Sequence, residues 1–301
     1  MAWFKTALAA YGATALFILL WSSGAIFAEI GVTHASASTF LTMRFALATI
    51  MLALIGAWRH RWLPARGTRV HVAATGALMM GGYSICYFLS LERGLTPGLL
   101  AAILGAQPIA TLVVTERRFS AMRMAGLFMA MLGLASIVFR GASALNPSTT
   151  EGLALALAAL ASITAGAIMQ KRIVQEPMDV LPLQNFVGLL LSLPLGVAEW
   201  NGLRLDAPLA VSVLWLGIVI SVLAQLLFYR LVRRGNLVNV TSLFYLVPVI
   251  TALMDYLCFG HALQPRDVIG MILILTGLAL TLRNKEKVHS APREMTREPR
   301  G

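Results

Sequence analysis

The chain has 301 residues, 58% of them hydrophobic and only 12% charged, with a mean hydropathy of +0.78. A soluble globule of this size carries about a quarter of its residues charged, so the composition excludes one and points to an integral membrane protein. The formal net charge of +11 raises nucleic acid as a partner, but the placement of that charge, given below, argues against it.

Apolar stretches of roughly the 17–25 residues needed to cross a ~30 Å hydrocarbon core recur along the chain. They fall at about residues 7–28, 37–57, 70–91, 95–115, 121–139, 152–170, 180–198, 208–229, 236–258 and 265–282. All are predicted to be helices, because an open strand or loop in lipid leaves backbone amides unpaired. The first stretch, opening MAWFK, resembles a signal peptide with an Ala-Ser-Ala site near residue 37. Its apolar run is too long for that, and it is read as a retained helix. Cys86 and Cys258 lie inside apolar stretches, where they read as small packing residues and suggest neither a disulfide framework nor a metal site.

The basic residues sort by side. With the N-terminus in the cytoplasm, nineteen of the 24 Lys and Arg fall in inner segments, from Lys5 and the Arg59–Arg69 group to the tail. Only Arg93, Arg140, Arg204 and Arg266 fall outside, and Arg44 lies within a span. This asymmetry is the positive-inside pattern and predicts both termini in the cytoplasm. Residues 284–301 are expected to form a disordered basic cytoplasmic tail near the anionic leaflet.

One plan occurs twice. Residues 236–282 hold a span broken by Pro248, then a span with Gly270 and Gly277; residues 95–138 hold a span with Pro108, then one with Gly126 and Gly133. GAIFAE at Gly24–Glu29 echoes GAIMQK at Gly166–Lys171, and Arg44-Phe45 falls where Asn185-Phe186 falls in the second half. Five spans are an odd number, so residues 150–283 enter the membrane from the side opposite to residues 1–140. The expectation is an all-α integral membrane fold of ten transmembrane helices in two inverted five-helix repeats, an arrangement common among secondary transporters.

With these features the chain resembles the drug/metabolite transporter superfamily, specifically its EamA-type branch, and within it the YddG-type aromatic amino-acid exporters. The resemblance rests on the Pro-broken fourth and ninth spans, the paired glycines of the fifth and tenth and Arg44-Phe45 of the second. It covers all but the tail. It implies a basket-like bundle around a central cavity and export of small metabolites across a bacterial inner membrane, with no cofactor. One departure stands out: where the family often ends its ninth helix with Gly-Glu, this chain has Gly260-His261.

The residues supply a candidate site on their own physics. Tyr83 and Tyr87 share one face of the third span, Gln225 shares a face of the eighth with Tyr229, and Trp21 and Ser22 lie in the first. Phe244 and Tyr245 precede Pro248, and Gln107 precedes Pro108. Rings with a few amides suit an amphipathic ring-bearing ligand, although tyrosines also mark the interface and buried Gln also bridges helices. Pro108 and Pro248 each remove a helix hydrogen bond and are predicted hinges. Among ionisable groups, Arg44 either pairs with Glu29 or meets a substrate carboxylate, Asp255 is the candidate for proton coupling, and Glu116 reads as solvated.

An enzyme would need a base beside a nucleophile, yet the five histidines fall in loops, span ends or the tail, and no G-x-S-x-G or H-E-x-x-H occurs. A channel would need a continuous polar pore. A phosphate-bearing cargo would need several cationic side chains, whereas only Arg44 is available. The expected partners are a small molecule, aromatic or hydrophobic amino acids foremost, and the lipid bilayer. Neither a metal nor nucleic acid is expected.

Overall fold

The computed structural model describes residues 2–61, 63–93, 95, 97–116, 120–138, 147–200, 205–259 and 265–283, and among them every regular element is helical. α1 (Ala2–His34) turns through Ala35 and Ser36 into α2 (Ala37–Trp58), where the Ser36 Oγ accepts the Thr39 N–H at 3.3 Å and caps the helix. α3 (Arg69–Glu92) takes a π-helical stretch over Ala77–Gly82 and returns to α-helix at Tyr83. α4 (Pro97–Leu104) and α5 (Gln107–Thr115) divide one apolar stretch, and α6 (Ala121–Val138) follows. α7 (Pro147–Lys171) and α8 (Pro177–Ala198) lead to α9 (Ala207–Arg234), which carries a second π-helical stretch at Trp215–Ala224. Then come α10 (Leu237–Ser242), a 3-10 turn at Leu243–Tyr245, α11 (Leu246–Phe259) and α12 (Pro265–Arg283).

Among the described residues, seven helical stretches are long and apolar enough to cross a membrane: Gly12–His34, Ala37–Trp58, Arg69–Glu92, Thr150–Lys171, Pro177–Ala198, Ala207–Arg234 and Pro265–Leu282. The other apolar stretches of the sequence take shorter forms. Over 95–115 the helix stops at Leu104 and restarts at Gln107, so Pro108 sits in the first turn of a new helix instead of kinking a continuous one. A first-turn residue has no intrahelical N–H bond to lose. Before Pro248 the chain tightens into the 3-10 turn, which uses shorter-range hydrogen bonds where the longer ladder is interrupted.

The outer faces of the bundle are aliphatic. Ile50, Leu54, Leu132, Leu190 and Ile272 are each at least half exposed, a surface suited to hydrocarbon and costly in water. Inside, one core joins α1, α2, α3, α8 and α9 around Phe17, Phe40, Phe45, Leu52 and Phe228. A second joins α5, α6, α11 and α12 around Leu112, Leu127, Leu134, Val249 and Ile274.

Close approaches fix how the helices cross. A Cβ added at Gly126 would lie 2.7 Å from the Gly277 carbonyl oxygen, and one at Gly133 would lie 2.6 Å from that of Gly270. α6 and α12 therefore run antiparallel, back to back, at a separation that only glycine permits. α2 and α8 are antiparallel as well: Thr39 and Thr42 donate through Oγ1 to the carbonyls of Gly196 at 3.1 Å and Ser192 at 3.0 Å. Each π-helical stretch is covered by a glycine of another helix, Met79 by Gly166 of α7 and Ile220 by Gly24 of α1.

Candidate substrate-binding site

Arg44 projects from α2 toward α9. Its Nε–H donates to the Ser221 Oγ at 2.8 Å, and its guanidinium carbon stands 5.5 Å from the centre of the Phe45 ring. Ser221, 2% exposed, belongs to the π-helical stretch of α9. Tyr83 is the first residue after the π-helical stretch of α3; its ring lies 5.9 Å from that of Tyr87, one turn on. The Tyr83–Glu92 part of α3 packs against α2, the helix that carries Arg44. Arg44, Tyr83 and Tyr87 are all half-buried. A π-helical stretch inserts an extra residue and so re-aims the side chains that follow, and such stretches recur at functional sites. Two of them converge here.

The sequence offers Glu29 as a partner for Arg44. The Glu29 side chain lies outside the described residues; among those described, Arg44 forms no ion pair with a carboxylate. Asp255, the predicted coupling group, also has its side chain outside them.

A second group of rings joins α1, α9 and the 3-10 turn. Trp21 meets Phe244 edge-on at 5.3 Å and Phe17 at 5.4 Å, while Phe228 lies 5.8 Å from Phe17 and 5.6 Å from Phe244. Trp21 and Phe244 are half-buried, and Phe17 and Phe228 are sealed. Ser22 is fully buried, donating to the Ile18 carbonyl at 2.7 Å and lying 3.4 Å from that of Val247, so its hydroxyl serves the contact between α1 and α11. Tyr245 turns away from its neighbour Phe244: it is 1% exposed, packs in the α5–α6–α12 core and points its hydroxyl at the Leu127 carbonyl, 3.4 Å away. The structure thus brings Trp21 together with Phe244 and Tyr83 together with Tyr87, sets Arg44 on the helix packed against the tyrosine pair's own, and leaves Ser22 and Tyr245 in packing positions.

Gln107 and Gln225 are each 5% exposed, and the Gln107 Nε2 has no hydrogen-bond partner among the described residues. The Thr111 hydroxyl, one turn beyond Gln107, is similarly unpartnered there. Buried polar atoms without partners cost about 1–3 kcal/mol each, so this interior holds hydrogen-bonding capacity that the described residues leave unused. A crevice of about 280 Å³ lies elsewhere, between the α2–α3 and α7–α8 connections, lined by Thr68, His71, Arg172 and Gln175. None of the sequence-predicted site residues lines it.

Sequence reasoning missed Ser221, Phe17 and Phe228, and it misplaced Glu116. That carboxylate is not simply solvated. Arg123 donates through Nη1 to both Glu116 oxygens at 2.7 Å, and through Nη2 to the Oδ1 atoms of Asn236 at 2.9 Å and Asn239 at 2.7 Å. Asn236 closes the ring by donating to Glu116 at 3.1 Å. The Asn236-x-x-Asn239 spacing ahead of an apolar run, a helix N-cap signal, was the available hint: the Asn236 Oδ1 accepts the Asn239 N–H at 3.2 Å.

Helices with aliphatic outer faces enclosing buried amides, hydroxyls and a guanidinium define a multi-pass membrane protein. The sequence pattern of the EamA-like transporter family matches residues 8–139 and again residues 150–283, and the chain belongs to that family. It is 24% identical over 294 residues to a probable amino-acid metabolite efflux pump of Salmonella typhimurium, covering 89% of this chain and 92% of that protein. It is 29% identical over 232 residues to a probable biotin transporter of Pseudomonas aeruginosa, covering 73% and 79%. The uncharacterised transporter YvbV of Bacillus subtilis is 23% identical over 290 residues, covering 92% of each chain. A solved crystal structure superposes with a TM-score of 0.76 at 18% identity, over 94% of this chain and 99% of that one, which speaks to the fold alone.

Proposed function

We propose that this transporter exports small amphipathic metabolites, aromatic and hydrophobic amino acids foremost, from the cytoplasm across a bacterial inner membrane. It works by alternating access between two inverted five-helix repeats, ten transmembrane segments in all, with both termini in the cytoplasm. The observation that carries this reading is reciprocity in the packing. Gly126 and Gly133 of α6 meet Gly277 and Gly270 of α12 in crossed order, and Gly166 covers the π-helical stretch of α3 as Gly24 covers that of α9. Reciprocal contacts of this kind are what a two-fold relation produces; with five segments to a half, the axis lies in the membrane plane. The double match of the family pattern to residues 8–139 and 150–283 supports the same division.

The interior favours an amphipathic cargo. Tyr83, Tyr87, Trp21 and Phe244 offer ring faces, Gln107 and Gln225 offer amides, and Arg44 offers a cation. The name of the Salmonella relative agrees with an amino-acid cargo, and that of the Pseudomonas relative supports a second reading, another small amphipathic metabolite carried by the same fold. The hinges are the break between α4 and α5 beside Pro108 and the 3-10 turn ahead of Pro248. Asp255 remains the proposed proton-coupling residue.

The test is uptake of labelled phenylalanine, tryptophan and leucine into proteoliposomes holding the purified protein, with and without a pH gradient. Saturable uptake of at least one is expected. Transport of none of them removes the amino-acid assignment, and flux unchanged by Asp255→Asn under a gradient removes that residue from coupling.

A further inference from the structure

We propose that Arg44 is the seat for a carboxylate on the transported molecule, held in position by Ser221 and flanked by the Tyr83–Tyr87 ring pair, so that cargo must join a carboxylate to an apolar ring or chain. This deepens the transport reading and rests on it.

An arginine within a membrane span costs roughly 2.5–3.5 kcal/mol on insertion scales, and a chain retains one where it is paired or used. Guanidinium presents five N–H donors. One, at Nε, is taken by Ser221. Among the described residues neither Nη amino group has a hydrogen-bond partner, and the side chain is half-buried. Two parallel Nη donors form the fork that binds a carboxylate through both oxygens. The bond to Ser221 and the contact with the Phe45 ring fix the plane of that fork before any ligand arrives.

The fold does not need the charge. In the second half the place of Arg44-Phe45 is taken by Asn185-Phe186, and in the same register Met80 stands where Ser221 would be. Asn185 is fully buried, and its amide donates to the Leu181 carbonyl of its own helix at 3.1 Å. Two halves that share glycine contacts and π-helical stretches therefore differ here in chemistry: one position is charged and half-buried, its counterpart neutral and fully buried. Scaffolding explains what the halves share. It does not explain a cation kept in only one of them beside two half-buried tyrosine rings. One cation matches one carboxylate, whereas a phosphate dianion needs more, and an amine lacking an acid group is repelled.

Binding to the purified protein in detergent, read as ligand-induced thermal stabilisation, tests this with phenylalanine, phenylacetate, phenylalaninamide and phenethylamine as probes. The expected order is phenylalanine and phenylacetate half-saturating at concentrations at least tenfold below the amide and the amine. Arg44→Gln is expected to abolish that preference, Arg44→Lys to keep part of it, and Ser221→Ala to weaken both acids several-fold while leaving the amide unchanged, a split that a merely structural role for Ser221 does not produce. Equal binding of amide and acid by the unaltered protein, or binding of neither acid, overturns the proposal without recourse to any variant; so does an intact preference in a folded Arg44→Gln protein. Phenylacetate binding without phenylalanine, tryptophan or leucine binding upholds the carboxylate seat and sinks the amino-acid assignment. Saturable transport of phenethylamine does the reverse, keeping the carrier and removing the seat.

Discussion

The α6–α12 seam and the Arg44 region both join the first half of the chain to the second, and they are built from opposite materials. The seam is four glycines backed by Leu127, Ala130 and Ile274, all sealed, with backbone against backbone. The Arg44 region has two π-helical stretches, half-buried tyrosines and a guanidinium with donors to spare. A seam with no room for a side chain has no room for a ligand, and it can only move as a unit. Strongly packed and polar contacts thus divide the work in the proposed carrier: one would hold the halves together, the other would offer them a site to close around.

Breaking the seam gives the largest expected effect. Gly126→Leu drives a side chain into the Gly277 carbonyl and is expected to cost about 3 kcal/mol or more, lowering the thermal midpoint in detergent. Gly12→Leu, where an added Cβ meets nothing within 4 Å, serves as the control with no loss. In the polar region Arg44→Gln is expected to leave the midpoint near its original value while cutting phenylalanine uptake tenfold or more, about 1.4 kcal/mol per decade. If instead stability collapses and the residual folded protein transports normally, Arg44 is scaffold and the contrast between the regions fails.

Smaller effects sharpen the same contrast. The Arg123–Glu116–Asn236–Asn239 network is partly buried, with side chains of Arg123 and Glu116 12% and 20% exposed. Arg123→Gln is expected to cost about 2 kcal/mol in thermal unfolding, between the surface and buried limits for ion pairs. Tyr245→Phe removes only a 3.4 Å contact with the Leu127 carbonyl and is expected to cost less than about 1 kcal/mol with uptake unaltered; a large loss of uptake would bring Tyr245 back as a substrate contact. Weakest is Glu176, whose carboxyl is held below its usual range by a hydrogen bond from Arg233 at 2.8 Å. A depressed folded-state value means any stabilisation is present above the ordinary carboxylate range and lost as pH falls through the folded value. Because the carboxyl is exposed and screened, Glu176→Gln is expected to leave the thermal midpoint unchanged at pH 7.

Much of this was legible in the sequence where the signal is long or spaced. Stretches of twenty apolar residues announce themselves, the Gly126–Gly133 and Gly270–Gly277 pairs mark a close crossing, and an arginine within a span stands out against its surroundings. What stayed hidden depends on direction. A membrane helix is apolar nearly all round, so its periodicity does not say which side faces inward, and Phe244 and Tyr245 could not be told apart although they face opposite ways. The π-helical stretches arise where Met79 and Ile220 meet glycines of other helices, contacts far apart in the chain. They in turn bring Ser221 to Arg44, so the partner of the most conspicuous residue was itself inconspicuous.

Counterflow tests the central claim most directly. Proteoliposomes preloaded with unlabelled phenylalanine at millimolar concentration receive a trace of labelled phenylalanine outside, with no ion gradient. A carrier whose halves expose one site alternately accumulates label transiently above its final level, and Arg44→Gln suppresses that overshoot. Label that enters monotonically to equilibrium, whether or not the vesicles are preloaded, would contradict alternating access.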